Sequence, residues 1–374
     1  MIYHSIIIPT AGRPEAVKSV IPALLRLPLK ALSAEVIVVD NNSDDDVSAE
    51  IQCYCELFAD DVRYARALSP GLTAARHAGA AKARGELLTF IDDDVEVSVG
   101  WLAAIQKAFN ETDVAMVGGP SIPRFTGPVP AWFWDFVQPY SSTGWYCGWL
   151  SLLDLGTDVP EVDPDMVWGL NFSLRKNVLD ACGGFHPDSV PSQLQRWQGD
   201  GESGLTKKVK SAGYRAYYCQ NALLYHFCGP DRLNVEYFKK RAFFQGVCDS
   251  YTSIRRGHNP VYFDPQHSCA TGDWQLRAVM GRVQRTFNGL RPKKNSSTWS
   301  GAAQRVRKLT DQAYRDGWTF HQREVGSDQH LLAWVRRETY MDADIQEELV
   351  RYRPNTKVIV RLGLDRIKPR SDQH

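Results

Sequence analysis

From the N-terminus to about residue 117, short apolar runs alternate with stretches whose apolar residues recur at helical spacing. Ser5-Ile-Ile-Ile8 is a β-branched run stopped by Pro9, the pattern of a buried parallel strand. Val17, Val20, Ile21, Leu24 and Leu25 then share one helical face within 14–27. The alternation continues with a strand at 35–39, the polar turn Asp40-Asn-Asn-Ser-Asp44 and a further helix. A strand at 62–68 and an alanine-rich helix from Pro70-Gly71 to Arg84 follow, then strand Leu87-Leu-Thr-Phe-Ile91, which ends in three aspartates. This order predicts an α/β fold, Rossmann-like, with a central, mostly parallel sheet and helices on both faces.

After Gly118 the texture changes. Prolines and aromatics dominate 118–165, as in Pro120-Ser-Ile-Pro-Arg124 and Trp132-Phe-Trp134, without a period, which reads as a long, partly ordered loop of the kind that carries function. Strand character returns at 168–175, 214–218 and 223–225, around a helix at 202–212. Beyond Val235 the spacing is helical over 234–256, 301–316 and 327–350, the last with the apolar patch Leu331, Leu332, Trp334 and Val335. The expected organisation is a domain over 1–235, in halves of 1–117 and 118–235, followed by a C-terminal helical region over 236–374.

Composition narrows the function classes. With 374 residues, 43% hydrophobic and 23% charged, the chain can bury a large core and is not a disordered protein. Lys+Arg 44 against Asp+Glu 43 gives a net charge of +1, so charge makes no case for a nucleic-acid partner. No apolar run approaches the ~18–20 residues of a membrane helix, and Pro9 and Arg13 interrupt the apolar start, so a cytoplasmic protein is expected. Eight cysteines are scattered without a CxxC pair, which favours free thiols.

The sharpest chemical feature is Asp92-Asp93-Asp94 at the end of a buried strand, where ligands sit in open parallel sheets. Three adjacent carboxylates repel unless a cation or solvent relieves them. Mg²⁺ or Mn²⁺, bound by one or two carboxylates plus substrate phosphates, suits that composition, and an acidic rim facing water is the alternative. Asp40 closes the second strand at the same sheet edge, beside the first strand's exit loop, Pro9-Thr-Ala-Gly-Arg13. No GxGxxG or GxxxxGK[ST] follows any strand, so phosphates would be held mainly by metal and side chains.

Taken together the motifs resemble family 2 glycosyltransferases of the GT-A fold. The resemblance rests on Ile6-Ile-Ile-Pro-Thr10, Val38-Val-Asp-Asn-Asn-Ser43, Gly71-Leu-Thr-Ala-Ala-Arg-His-Ala-Gly79, Ala83-Arg-Gly-Glu86 and Phe90-Ile-Asp-Asp-Asp94. Gly169-Leu-Asn-Phe-Ser-Leu-Arg175, Gly183-Gly-Phe-His-Pro-Asp188 and Gly213-Tyr-Arg215 extend it, so that it covers about residues 2–230. It implies an inverting, metal-dependent transferase that uses a nucleotide-diphosphate sugar, a UDP-sugar first, and a glycan or lipid-linked acceptor. The half over 1–117 would hold the donor and that over 118–235 the acceptor. By the same resemblance Pro9, Thr10, Arg13, Asp40, Arg76, Asp92 and Asp93 would meet the nucleotide sugar. Asp94, with Asp92 and His226, would hold the metal. Counting back from Gly213 puts Glu202 at the position of the base, with Gly201 where an acidic neighbour is usual and Asp200 as the alternative. His77 departs from the family's usual Asn. Gln193-Leu-Gln-Arg-Trp197 fits a QxxRW pattern of processive synthases but precedes Asp200, which marks it as coincidence.

Six of the eleven tryptophans lie between 132 and 197, and aromatic faces suit sugar rings, so Trp132, Trp168 and Trp197, with Asn171 and Arg196, are candidates for the acceptor side. Between Arg277 and Lys308 there are nine Lys or Arg and no acid, a candidate peripheral contact with a membrane surface. The C-terminal helices are expected to close over the acceptor side or build a homo-oligomer. The rival functions are a sugar nucleotidyltransferase and a non-catalytic sugar-binding module.

Overall fold

The computed structural model describes residues 3–111, 113–260, 300–345 and 347–348. Its frame is an eight-stranded sheet. Strands β1 (His4–Thr10), β2 (Ala34–Asn41), β3 (Val62–Ala67) and β4 (Leu87–Ile91) run parallel in the order β3-β2-β1-β4. Alternation explains why both faces are covered. Ile6, Ile8, Val36 and Val38 pack with Val17, Ile21 and Leu24 of α1 (Pro14–Leu25) and Ile51 of α2 (Asp45–Glu56). Ile7, Ile37 and Val39 face the other way, onto Ala75 and Ala80 of α3 (Leu72–Lys82). Each fully buried aliphatic side chain contributes roughly 1.5–3 kcal/mol.

Beyond β4 the sheet becomes mixed. β5 (Val95–Val97) leaves it, and after α4 (Trp101–Glu111) the chain returns as β6 (Met116–Gly118). The segment 118–165 is not a loop. It holds the short strands β7 (Ser121–Phe125), β8 (Gln138–Pro139), β9 (Trp145–Cys147) and β10 (Leu152–Asp154), which with β5 and β14 (Leu224–Cys228) build a second, six-stranded sheet in the order β5-β14-β7-β10-β9-β8, and then β11 (Val159–Val162) at the edge of the first. Strands of two to five residues are too short to show a period, and pairing partners distant in sequence define them instead. β12 (Asn171–Arg175) runs antiparallel between β4 and β6. α5 (Lys176–Ala181) and α6 (Gly201–Ser211) follow, then β13 (Ala216–Tyr218) beside β6, and β14 (Leu224–Cys228) in the second sheet.

α7 (Val235–Arg255) is capped by the Asn234 side chain, which accepts from the Tyr237 amide at 2.9 Å. The helix expected at 301–316 runs Gly301–Ser327, lies along α7, and approaches it so closely that a Cβ at Gly246 or Gly317 would strike the facing backbone. The single helix expected over 327–350 is broken: a short helix spans Gln329–Val335, the chain leaves the helix after it, and helical residues return at 345 and 347–348, while 346 and 349–350 lie outside the described residues. Asp328 starts it by accepting from the His330 and Leu331 amides, and beyond Val335 the chain turns to bring Tyr340 onto Trp334. Phe133, Phe136, Leu150, Phe238, Ala303 and Val306 form one cluster, and Val190, Leu194, Trp197, Tyr251, Val325 and Trp334 another. Of the basic stretch, residues 277–299 lie outside the described residues. Among the described residues no helix is long and apolar enough to cross a membrane.

Candidate active site

The acidic triplet occupies the three residues between β4 and β5, where the chain passes from the first sheet to the second. Each aspartate there meets a guanidinium. Asp93, buried, accepts from Thr10 Oγ1 at 2.7 Å and Arg13 Nε at 3.1 Å, with Arg13 Nη2 on its other oxygen. Asp92 remains about a third exposed, 3.5 Å from Arg76. Asp94 faces Arg232, and Arg13 at 3.3 Å. Burial pushes its carboxyl up, but the charges of Arg232 and Arg13 act against that and hold it below the usual carboxylate range.

Register explains His226. It pairs with Val95 across β14 and β5, which sets its ring beside Asp94. Nδ1 lies 3.0 Å from the Leu150 carbonyl, so in the neutral ring it donates there and Nε2 presents a lone pair. Arg232 Nη1 is 2.6 Å from that Nε2, and a guanidinium can only donate, so the contact requires the neutral ring. Burial lowers this histidine, while Asp94 and Cys228 raise it to about 9; the Arg232 contact opposes that protonation, since it needs the ring's lone pair. Asp94 Oδ1 is buried without a hydrogen-bond partner, 3.5 Å from His226 Nε2. Among the described residues no three His, Cys, Asp or Glu side chains converge as a metal cage. An orphaned carboxylate oxygen facing a ring nitrogen nevertheless fits Mg²⁺ or Mn²⁺, which takes its remaining ligands from water and phosphate.

Arg76, on α3, links this corner to the base candidate. Its side chain is 2% exposed; Nη2 donates to Gly169 O at 2.9 Å, and Nη1 is 3.3 Å from Glu202 Oε2. Phe185 stacks on it at 5.3 Å. A Cβ at residue 169 would lie 2.7 Å from Arg76 and 3.0 Å from the Glu202 carboxyl carbon, so only glycine lets both side chains pass. Glu202, in the first turn of α6, keeps 30% exposure. Asp200 does not: its side chain is 3% exposed, bound to His186 Nδ1 at 2.6 Å, Thr252 Oγ1 at 2.6 Å and Lys207 at 3.2 Å. The place expected for an acid at Gly201 is filled by Asp188, whose Oδ2 would lie 2.7 Å from a Cβ there. Asp188 is anchored through Oδ1 by the Ser189 amide at 2.7 Å and Gln198 at 2.5 Å, and burial and the charge of Glu202 raise its carboxyl above the usual range.

Several expected contacts turn inward. Asp40 is fully buried, held by the hydroxyls of Ser43, Ser48 and Tyr64, and Ser43 in turn receives the Gly12 amide, so Asp40 shapes the loop after Pro9. Asn171 spends its amide on Trp101 Nε1, Pro120 O and Ala222 O, tying strand ends together. Trp197 is 1% exposed against Trp334, and Arg196 pairs with Asp328 and Glu324, so this dipeptide docks the C-terminal helices. Trp132 packs on Phe136 and Phe238, partly exposed, while Trp168 stays partly exposed beside Gly169. His77 is a core residue whose Nε2 accepts from the Phe185 amide at 2.9 Å. Arg232 carries no motif in the sequence, and Asp188, though it ends the Gly183–Asp188 motif, gives no sign of a site role there; the fold brings both to the site.

Comparison with known proteins adds to this geometry. A family model described as Glycosyl transferase family 2 matches residues 5–147. The mouse protein named Inactive polypeptide N-acetylgalactosaminyltransferase-like protein 5 is 24% identical over 312 residues, 74% of this chain and 68% of its own. The GalNAc(5)-diNAcBac-PP-undecaprenol beta-1,3-glucosyltransferase of Campylobacter jejuni is 33% identical over 111 residues, 29% of this chain and 34% of that enzyme's length. Among solved structures, S. aureus TarS 1-349 in complex with UDP-GlcNAc is similar at 15% identity and a TM-score of 0.45, over 85% of this chain and 90% of that one. The family model's match spans residues 5–147, which hold the parallel strands and the acidic triplet, and the mixed α/β sheet with its covering helices is consistent with the GT-A fold.

Proposed function

We propose that this chain is an inverting glycosyltransferase of the cytoplasm with residues 1–235 as its catalytic domain. It moves a sugar from a nucleotide-diphosphate sugar, a UDP-sugar first, to a hydroxyl of a glycan or lipid-linked acceptor. The observation that carries the reading is the span from Asp94 and His226 through Asp92 and Arg76 to Glu202. Arg76 lies 3.5 Å from Asp92 and 3.3 Å from Glu202, so one buried cation joins a metal-capable corner to a partly exposed carboxylate.

In this reading Asp94 and His226 hold a divalent cation, Mg²⁺ or Mn²⁺, which when bound supplies the charge neutralisation a departing diphosphate needs. Glu202 takes the proton of the acceptor hydroxyl as its oxygen attacks the anomeric carbon. The bond to the diphosphate breaks on the opposite face, both electrons leave with the nucleoside diphosphate, and one displacement inverts the configuration. Arg76 orients Glu202, Asp92 faces the ribose, and Thr10, Arg13 and Asp93 fix the loop beneath the donor. Trp168 and the exposed edge of Trp132 border the acceptor. The Campylobacter enzyme is named for a GalNAc(5)-diNAcBac-PP-undecaprenol acceptor, which makes a lipid-linked glycan the first acceptor to try.

The test is product analysis with UDP-sugars and Mn²⁺ or Mg²⁺. Release of UDP is expected, and release of pyrophosphate would favour a nucleotidyltransferase. The mouse relative is named inactive, which keeps a non-catalytic module as the second reading, and the absence of both transfer and donor hydrolysis would select it. Asp94→Asn is expected to remove the Mn²⁺-dependent part of the thermal shift given by UDP, and, because Asp94 pairs with Arg232 and Arg13, also to lower the unliganded melting temperature. A full Mn²⁺-dependent shift in that variant would take Asp94 out of the metal site.

A further inference from the structure

We propose that Arg232 is an exchangeable cation of the donor site: it holds Asp94 and His226 in the ligand-free protein and turns to the diphosphate of a nucleoside-diphosphate ligand when a divalent metal ion takes its place. The proposal rests on the glycosyltransferase reading above and adds a residue and a linkage to it.

Arg232 sits in the short connection between β14 and α7, six residues after His226. Its backbone is fixed there. The Arg232 amide donates to Gly229 O at 3.0 Å, and the Asn234 side chain, which caps α7, donates to Pro230 O at 3.1 Å and Asp231 O at 2.7 Å. From that anchor the guanidinium forks, Nη2 onto Asp94 Oδ2 and Nη1 onto His226 Nε2 at 2.6 Å. Among the described residues these are its only side-chain hydrogen bonds, and it retains 20% exposure. The other two guanidiniums at the triplet are tied down differently. Arg76 is sealed under Phe185 and bonded to Gly169 O and Glu202; Arg13 grips Asp93 through both Nε and Nη2.

Electrostatics makes the exchange directional. A guanidinium and a metal ion compete for the Nε2 lone pair and for the Asp94 carboxylate, and Arg232 cannot remain on His226 Nε2 once a metal is there. Metal binding alone therefore displaces a positive group toward solvent and leaves it unpaired. A diphosphate changes that balance, because its oxygens offer the displaced fork a bidentate partner and carry the charge that lets two cations stay close. Metal and nucleoside diphosphate should then bind cooperatively, each tightening the other by the same factor, with Arg232 as the group that transmits the coupling.

Calorimetric titration of MnCl₂ into the full chain, with and without UDP, tests this. In the parent protein UDP is expected to tighten Mn²⁺ binding about tenfold or more, within the usual range of such couplings. In Arg232→Gln, Mn²⁺ alone should bind several-fold tighter than in the parent, because its competitor is gone, and the gain from UDP should shrink correspondingly. Arg232→Lys keeps the charge without the fork and should fall between, which guards against reading a folding defect as a coupling effect. If both variants keep the parent's Mn²⁺ affinity and UDP coupling while Asp94→Asn abolishes Mn²⁺ binding, Arg232 is not the exchangeable cation and the metal assignment stands. If Asp94→Asn also binds Mn²⁺ normally, the metal assignment falls, and this proposal with it.

Discussion

Arg76 is a guanidinium with almost no access to water, and such a group survives burial only when its surroundings satisfy it. A carbonyl, two carboxylates and an aromatic face surround its Nη atoms here, although Nε stays buried without a hydrogen-bond partner, and one of those carboxylates, Glu202, is the base of the proposed reaction. Glu202→Gln keeps the shape and removes the proton acceptor. Turnover with the true acceptor is expected to fall roughly 10²–10⁴-fold with donor affinity nearly unchanged, measured by initial rates and by UDP-sugar titration. Asp200 should behave differently, since it is a sealed carboxylate between His186, Lys207 and Thr252. Burial raises its carboxyl, yet His186 and Lys207 hold it well below the usual range. Asp200→Asn is expected to cost about 3–5 kcal/mol of stability, the usual result of breaking a buried pair, seen as a lower denaturation midpoint. A stable Asp200→Asn protein with no turnover would instead return Asp200 to the role of base.

Among the elements, the turn of 3-10 helix at Ser192–Trp197 shows how a sequence motif can be present for packing. Trp197 lies edge-on to Trp334 with ring centroids 5.3 Å apart, and its carbonyl accepts from Trp334 Nε1 at 3.3 Å. Trp197→Ala is expected to cost about 3–5 kcal/mol and to loosen the helix Gln329–Val335, read out by hydrogen exchange of its amides. The strands β1, β2 and β4 and the helices α1 and α3 were legible because apolar period and turn residues agree there, and the same agreement put the acidic triplet at a strand end; Glu202 was singled out only through the resemblance, by counting back from Gly213. The second sheet was not, since its strands are short and their partners distant: β7 pairs with β14, a hundred residues on. For the same reason the inward commitments of Asp40, Asn171 and Trp197 could not be read from type and position. An acid at a strand end looks alike whether it faces a ligand or three hydroxyls.

On the scale of the whole molecule, buried neutral histidines set the response to acid. Burial drives His4 down to about 3, His77 to about 4 and His321 to about 3. The folded state therefore resists protonation that the unfolded chain accepts near 6.5, so stability is expected to fall as pH drops from 6.5 toward 4. Each histidine adds a slope of about 1.4 kcal/mol per pH unit. Denaturation midpoints between pH 7 and 4.5 measure the total, and His77→Gln, which keeps an acceptor for the Phe185 amide, should flatten the curve by about one histidine's share. The cluster of Phe133, Phe136 and Leu150 with Phe238, Ala303 and Val306 bears on a different matter, that of modularity. Because residues from both sides of position 235 complete one another there, an engineer exchanging specificities between relatives cannot cut the chain at that position. A chimaera joined there would leave aromatic surfaces of both parents facing strangers. The practical unit of exchange is the aromatic hub with all the segments that reach it, so a graft of a new acceptor half would have to carry its own C-terminal helices along.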